Sequence, residues 1–477
     1  MVFSNLVFLF VFLPIVLIVY FLLPSKFKNF FLLIVSLFFY AWGEPIYVLL
    51  MIASIILNYV FGLLVSRTNS SNSEKKAYIV LSILTNLAIL GYYKYSTFLI
   101  ENINALFGLD IANEPLPLPI GISFFTFQAM SYVIDVYRND AKVQKNILDL
   151  ALYIALFPQL VAGPIVRYTT IAEELKKRVH SVELFSDGVR QFIIGLGKKV
   201  IIANPLGGIA DTIFSTGTSD LSVTTAWIGI LAYTLQIYFD FSGYSDMAIG
   251  LGKMFGFKFL ENFNYPYISR SVSEFWRRWH ISLSSWFRDY IYIPLGGNRK
   301  GVWKTYRNIL IVWTATGFWH GASWTFMAWG FYYGFIICIE RVGLGKVIDK
   351  MWRPLQHLYV LILVMIGWVF FRADNFSYSI EFIQTMFGLN GTSLFDNTAI
   401  SYINDNAYLL VLGIIVSIPI YPWIVKKMDQ LTKGEKRSTF FSVLRYVGGP
   451  LLYFVLFLLV TMFLVNSTYN PFIYFRF

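Results

Sequence analysis

Runs of about 20 apolar residues recur from one end of this chain to the other, most of them closed by a short basic loop. A run of that length spans the hydrocarbon of a bilayer as a helix. Within the bilayer each backbone amide needs a partner inside the protein, so repeated helical runs imply a helical bundle. The pattern predicts an all-α polytopic membrane protein. Composition agrees: 57% of the 477 residues are hydrophobic and 14% are charged, with a mean hydropathy of +0.61, whereas soluble domains carry about 25% charge. The first run, Val2 to Leu23, lacks a basic leader and a small-residue cleavage site, so it reads as a retained helix rather than a secretory signal. The net charge of +11 sits in short loops, which fits the bias of cytoplasmic loops toward Lys and Arg. The expected partner is therefore membrane lipid, and no nucleic acid is expected. The one cysteine, Cys338, excludes an internal disulfide and a cysteine-based metal site, and it reads as a small core residue. No metal site is expected anywhere.

Sorting the loops by charge yields a topology. Loops near 26, 70, 142, 253–307 and 430 are predicted to be cytoplasmic, and those near 110, 215 and 400 external. Residues 148–166 lie between basic flanks and contain Pro158, Gly163 and Pro164, so they read as re-entrant. Residues 407–425 read as one span. The block 308–340 is too long for one straight crossing and begins and ends at basic residues, so it is expected to turn back near its middle. No long linker or repeat divides the chain, and residues 1–477 read as a single membrane domain.

His320 lies at that turning point. No acidic or basic residue lies between Arg307 and Glu340, and four tryptophans fall between Trp313 and Gly330. An ionisable group at membrane depth is costly and marks a functional site by default. Imidazole is also the side chain suited to moving a proton near neutral pH. The competing reading is a hydrogen-bonded structural histidine. A second candidate stretch runs from Ser273 to Tyr290. On a helix, Arg277, His280 and Ser284 share one face, with Trp276, Trp279 and Trp286 as an aromatic surface. A third is Tyr238 to Asp246, where Asp240 and Asp246 interrupt an apolar crossing. They face a cavity or form a hydrogen-bonded pair that caps a helix broken at Gly243. His180 and His357 stand beside basic residues and read as surface histidines.

Arg277-Arg-Trp-His-Ile-Ser-Leu-Ser-Ser-Trp286, taken with Gly317-Phe-Trp-His-Gly-Ala-Ser-Trp324, resembles the membrane-bound O-acyltransferase (MBOAT) family. The likeness is to its bacterial branch, typified by the alginate O-acetylation membrane protein. Phe39-Tyr-Ala-Trp-Gly43, Pro119 to Gln128, Gln159 to Ile165 and Phe239 to Asp246 extend the resemblance over nearly the whole chain. It implies a bundle of about 10–12 membrane-crossing or re-entrant helices around a central funnel. It also implies His320 as the catalytic histidine and His280 as the second one. Arg277, Trp279, Ser284, Trp319, Ser323, Asp240 and Asp246 are the candidate donor-binding or funnel-lining residues.

The expected activity is O-acyl transfer, most simply acetyl transfer. The donor would be a cytoplasmic thioester of coenzyme A (acetyl-CoA) or of an acyl carrier protein, used as a substrate, with no bound cofactor. The acceptor would be an exported cell-surface polysaccharide. No soluble domain is apparent, so a separate extracytoplasmic acetyltransferase is an expected partner, and a bacterial plasma membrane the expected location. His320 would act as general base and His280 would orient the donor or stabilise the oxyanion. The rival class is a transporter or flippase, which would use the re-entrant segment and both aspartates as a path. The tail, Asn470 to Phe477, is too aromatic to hang in water and is expected to fold back onto the bundle. It resembles the C-terminal tyrosine motif of the small subunit of the teichoic-acid D-alanylation system. That resemblance makes Tyr474 either a covalent acyl relay or an interfacial anchor.

Overall fold

The computed structural model describes residues 2–433, 447–467 and 469–472. Among these residues every regular element is helical. Among the described residues six helices are long and apolar enough to cross a bilayer: Tyr47–Val65, Asn72–Phe107, Val182–Phe214, Arg353–Arg372, Asn397–Val416 and Gly449–Asn466. Phe8–Leu22 is a shorter apolar helix. The chain forms two compact units, residues 1–192 with 245–261 and residues 193–244 with 262–477.

In the first unit, Ser25–Gly43 and Tyr47–Val65 form a hairpin that turns at Glu44-Pro45. The 36-residue helix Asn72–Phe107 begins at a reciprocal cap: Ser71 Oγ accepts from the Glu74 amide and Glu74 accepts from the Ser71 amide. It ends at Gly108, whose φ of 61° favours glycine. Phe3, Phe8, Phe12, Phe39 and Phe157 pack ring against ring, with Phe157 5.5 Å from Phe39 and 5.6 Å from Phe12. Phe157 reaches this cluster because residues 148–166 do not cross. The helix Ile147–Ala155 has nine residues, about 14 Å at the helical rise of 1.5 Å per residue, against the roughly 30 Å of a bilayer core. Non-helical chain follows it as far as Arg167, and residues 150–166 are all buried. Val161, at φ 78°, rests on Gly121, where a Cβ would lie 3.1 Å from the Val161 Cα. A helix too short to cross, followed by buried non-helical chain, is the form that the re-entrant reading of this segment requires.

In the second unit, the apolar block 308–340 turns back as expected. Val302–His320 and Trp324–Ile339 are antiparallel and joined by Gly321 to Ser323. Gly317 and Gly330 set their separation, because a Cβ on Gly317 would sit 3.1 Å from the Gly330 Cα and collide with the Phe326 carbonyl. Ser323 caps the second helix through the Phe326 amide.

Two expectations need correction. The helix Val223–Met254 runs unbroken through Gly243. That glycine serves close packing instead, since a Cβ there would meet the Gly195 carbonyl at 2.7 Å. Residues 407–425 are not one span: Asn397–Val416 ends before Pro419, and a separate helix, Ile420–Lys433, begins. Proline has no amide proton and crowds the preceding turn, so the break falls there.

Candidate functional site

His320 is the last residue of the Val302–His320 helix and is 7% exposed. Aromatic rings hold its imidazole edge-on: Trp319 at 4.9 Å, Trp329 at 5.0 Å and Phe371 at 5.1 Å. Each such contact contributes about 0.5–1.5 kcal/mol beyond its buried area, so the ring has little freedom to turn.

His280 is reached differently. The stretch Ser273 to Tyr290 is not one helix; it breaks between Val272–Arg278 and Ile281–Phe287. His280 occupies the break with φ 44° and ψ 55° and is 2% exposed. A left-handed conformation in a non-glycine residue costs on the order of 1–3 kcal/mol and persists only where surroundings enforce it. Asn262 is part of that enforcement. Its side-chain Oδ1 is 3.1 Å from His280 Nδ1 and accepts from the Ser282 amide at 3.1 Å and the Ser282 hydroxyl at 2.9 Å. Phe241 closes on the ring edge-on at 4.6 Å and Trp319 lies 6.3 Å away. His280 lies outside the long apolar helices, and burial pushes its imidazole down to about 3, so it is neutral at neutral pH.

Both histidines open on one cavity of about 340 Å³. Arg277, Ser284, Arg288, Arg341, Trp276 and Trp313 also line it. The three arginines are exposed and the two histidines buried, so the cavity runs from a basic rim to a buried interior. Arg288 is paired with Asp289 at 2.6 Å. Among the described residues no carboxylate pairs with Arg277 or Arg341. Glu340 ties the two halves together. It is buried at the far end of the His320 hairpin and accepts from the Val272 amide at 2.7 Å, the Ser273 amide at 2.9 Å and the Ser273 hydroxyl at 2.6 Å. A carboxylate on the free amides of a helix N-terminus is a stabilising arrangement, and here it fixes the segment leading to His280.

The structure thus brings Arg277, His280, Ser284 and His320 together, although the helical face proposed for the first three does not exist. Trp279 and Trp319 pack behind the histidines, at 4.9 Å from Trp368 and from His320 respectively, and Ser323 is a helix cap. Asp240 and Asp246 are elsewhere. Asp240 forms a buried ion pair with Lys199 at 2.6 Å, and Asp246 accepts from the Gln191 amide group at 3.1 Å. His180 is exposed and hydrogen-bonded to Tyr20, and His357 contacts the Ser269 carbonyl. Sequence reasoning missed Asn262, Arg341 and Glu340. None belongs to a spaced motif, and the sequence showed Glu340 only as the charge that closes the uncharged block around His320.

The tail folds back as far as it is described. Pro471 accepts from Lys199, Asn470 meets Asn204 at 3.3 Å, Tyr469 donates to Asp211 at 2.6 Å, and Phe472 packs 4.7 Å from Tyr244. Tyr474 lies outside the described residues.

Comparison with known proteins fits this architecture. The profile of the membrane-bound O-acyltransferase family matches residues 125–370, just over half of the chain. The probable alginate O-acetylase AlgI of Azotobacter vinelandii is 45% identical over 400 residues, which cover 83% of this chain and 80% of that protein. The peptidoglycan O-acetyltransferase of Helicobacter pylori is 37% identical, with 83% and 81% covered. The teichoic acid D-alanyltransferase of Bacillus subtilis is 28% identical, with 53% and 66% covered. With a profile match of this extent, paired histidines on one cavity and several bilayer-length helices, the chain belongs to the membrane-bound O-acyltransferase family and is a multi-pass membrane O-acyltransferase.

Proposed function

We propose that this enzyme transfers acetyl from a cytoplasmic thioester toward an exported cell-surface polysaccharide, with residues 1–477 acting as one acyltransferase in a bacterial plasma membrane. The observation that carries the reading is the single cavity with a basic rim and two buried histidines. A phosphopantetheine thioester, on coenzyme A or on an acyl carrier protein, has the matching form: an anionic phosphate end and a neutral acyl end. Arg277 and Arg341 bind the phosphates as charge-assisted hydrogen-bond donors. His320 takes the proton from an attacking hydroxyl while the new C–O bond forms. The C–S bond then breaks, His320 returns that proton to the departing sulfur, and the donor leaves as a free thiol. General base catalysis of this kind typically contributes ~10²–10⁴ in rate. His280 orients the donor, and Trp279, Trp319 and Ser323 support the two histidines from behind.

The hydroxyl that attacks first is that of Tyr474, which then passes acetyl to a separate extracytoplasmic acetyltransferase or to the polymer. The docked tail supports this. Phe472 sits on Tyr244, one helical turn from Phe241, which contacts His280. The alginate and peptidoglycan names of the relatives support a polysaccharide acceptor.

The test is acetyl transfer in membranes supplied with a labelled donor thioester. His320→Ala is expected to abolish both thioester discharge and polymer acetylation while the protein still inserts; a normal rate in that variant sinks the assignment. Tyr474→Phe keeps the ring and removes the hydroxyl, so it should stop polymer acetylation. Full acetylation there leaves the tail as an anchor only.

A further inference from the structure

We propose that Asn262 is a positioning residue that locks His280 in the Nδ1–H tautomer, so that His280 presents Nε2 to the cavity as a hydrogen-bond acceptor and does not donate to an oxyanion. The inference rests on the reading of this cavity as the acyl-transfer site. It begins with the atom that cannot be misassigned. The Ser282 amide is a donor only, and it points at the Asn262 Oδ1 from 3.1 Å. The Ser282 hydroxyl lies 2.9 Å from the same atom. That atom is therefore the carbonyl oxygen of the side chain, because the amide nitrogen in its place would set donor against donor. His280 Nδ1 lies 3.1 Å from the same oxygen, so Nδ1 carries the proton. A neutral imidazole carries one proton, and Nε2 is left with its lone pair.

Backbone and packing make this durable. His280 is held at φ 44° between two short helices, and Phe241 closes on its ring edge-on. A flip of the imidazole would put a C–H against the Asn262 oxygen. Among the described residues, the other titratable groups lining the cavity are Arg277, Arg288, Arg341, Tyr292 and His320, and no carboxylate lines it to supply a proton. On the helix behind Phe241, Asp240 is engaged with Lys199. An acceptor in this position suits an N–H donor on the substrate, and every pantetheine arm carries amide N–H groups close to its thioester. His280 then fixes the donor's arm, while the chemistry of proton removal stays with His320.

The experiment uses the full-length protein in lipid. Nitrogen-15 histidine spectra of the wild type and of His280→Asn, taken by difference, isolate the His280 signals. A protonated Nδ1 with a bare Nε2 is expected, and a protonated Nε2 overturns the proposal. This arm needs no turnover, so it stands or falls apart from the acyltransferase reading, which His320→Ala tests. The second arm is Asn262→Asp, which keeps oxygen acceptors for Ser282 and His280 but puts a negative charge beside the ring. The His280 titration profile, read from its nitrogen-15 signals, should then move to higher pH by about one unit or more, because the carboxylate favours the imidazolium. An unmoved profile with unchanged kcat means that Asn262 only tethers the loop. Asn262→Ser serves should the aspartate variant not fold; kcat is expected to fall about 10-fold or more with KM for the donor rising as well. Unchanged kinetics there count equally against the proposal.

Discussion

Two of the places where the second unit buries polar groups do so on opposite terms. Around Lys199 and Asp240 charge is matched: the ion pair is 2.6 Å long, with side chains 3% and 1% exposed. Nearby, Arg372 meets Asp211 at 2.6 Å, and Asp211 also accepts from Tyr469. Around His280 and His320 the arrangement is different. The imidazoles are walled by aromatic rings, the rim carries three arginines, and among the described residues no carboxylate lines the cavity. A buried charge with a partner holds a structure together, and a basic cavity without an internal anion leaves room for one from outside. Asp240, which the sequence left as either a cavity residue or one of a hydrogen-bonded pair with Asp246, is thus half of a clamp with Lys199 that also holds the tail.

The comparison breaks most visibly at His320. His320→Ala should lower acetyl transfer by ~10²–10⁴ in protein that still folds and inserts; a folded variant with normal transfer would make it a packing residue only. Asp240→Asn should show the opposite profile. It leaves Lys199 buried without its counter-ion, at a cost of about 3–5 kcal/mol in stability, readable as thermal unfolding in detergent. Lys199→Met with Asp240→Leu should recover most of that loss, and failure to recover would mean the pair has a role beyond the clamp. Gly317→Ala tests whether the hairpin must be close to place His320; overpacking of this sort typically costs about 1–3 kcal/mol, and transfer should fall with it. Arg277→Gln or Arg341→Gln should raise KM for a phosphate-bearing donor about 10-fold and leave a short thioester without phosphates unaffected. Equal effects on both donors would remove the phosphate reading.

The smallest effect is in pH. Burial depresses the His280 pKa to about 3 from an unfolded value near 6.5. The folded state therefore binds the proton less readily than the unfolded chain. Its contribution to stability is fully present above about pH 6.5 and is lost as pH falls toward 3. His280→Asn should flatten the decline of the unfolding midpoint between pH 6.5 and 5. An identical slope would assign that decline to other groups.

How much of this was legible beforehand differs from residue to residue. Hydropathy and loop charge fall along the chain, so the helical class, the re-entrant segment and the turn at His320 could be read from local pattern. The same local reasoning failed where packing overrode it. Gly243 looked like a break and is a contact with Gly195, and Arg277, His280 and Ser284 share a cavity because the helix breaks at His280.

By itself the sequence determined that this chain lies in a membrane as helices and carries one histidine deep in an uncharged block, because bilayer solvation acts on every residue where it stands. Only the tertiary structure decided which charges are matched and which are left for a ligand. Asn262 finds His280 across 18 residues, Glu340 finds Val272 across 68, and Lys199 finds Asp240 and Pro471, the latter across 272. Those partners are chosen by the path of the backbone in space, and no spacing along the chain records it.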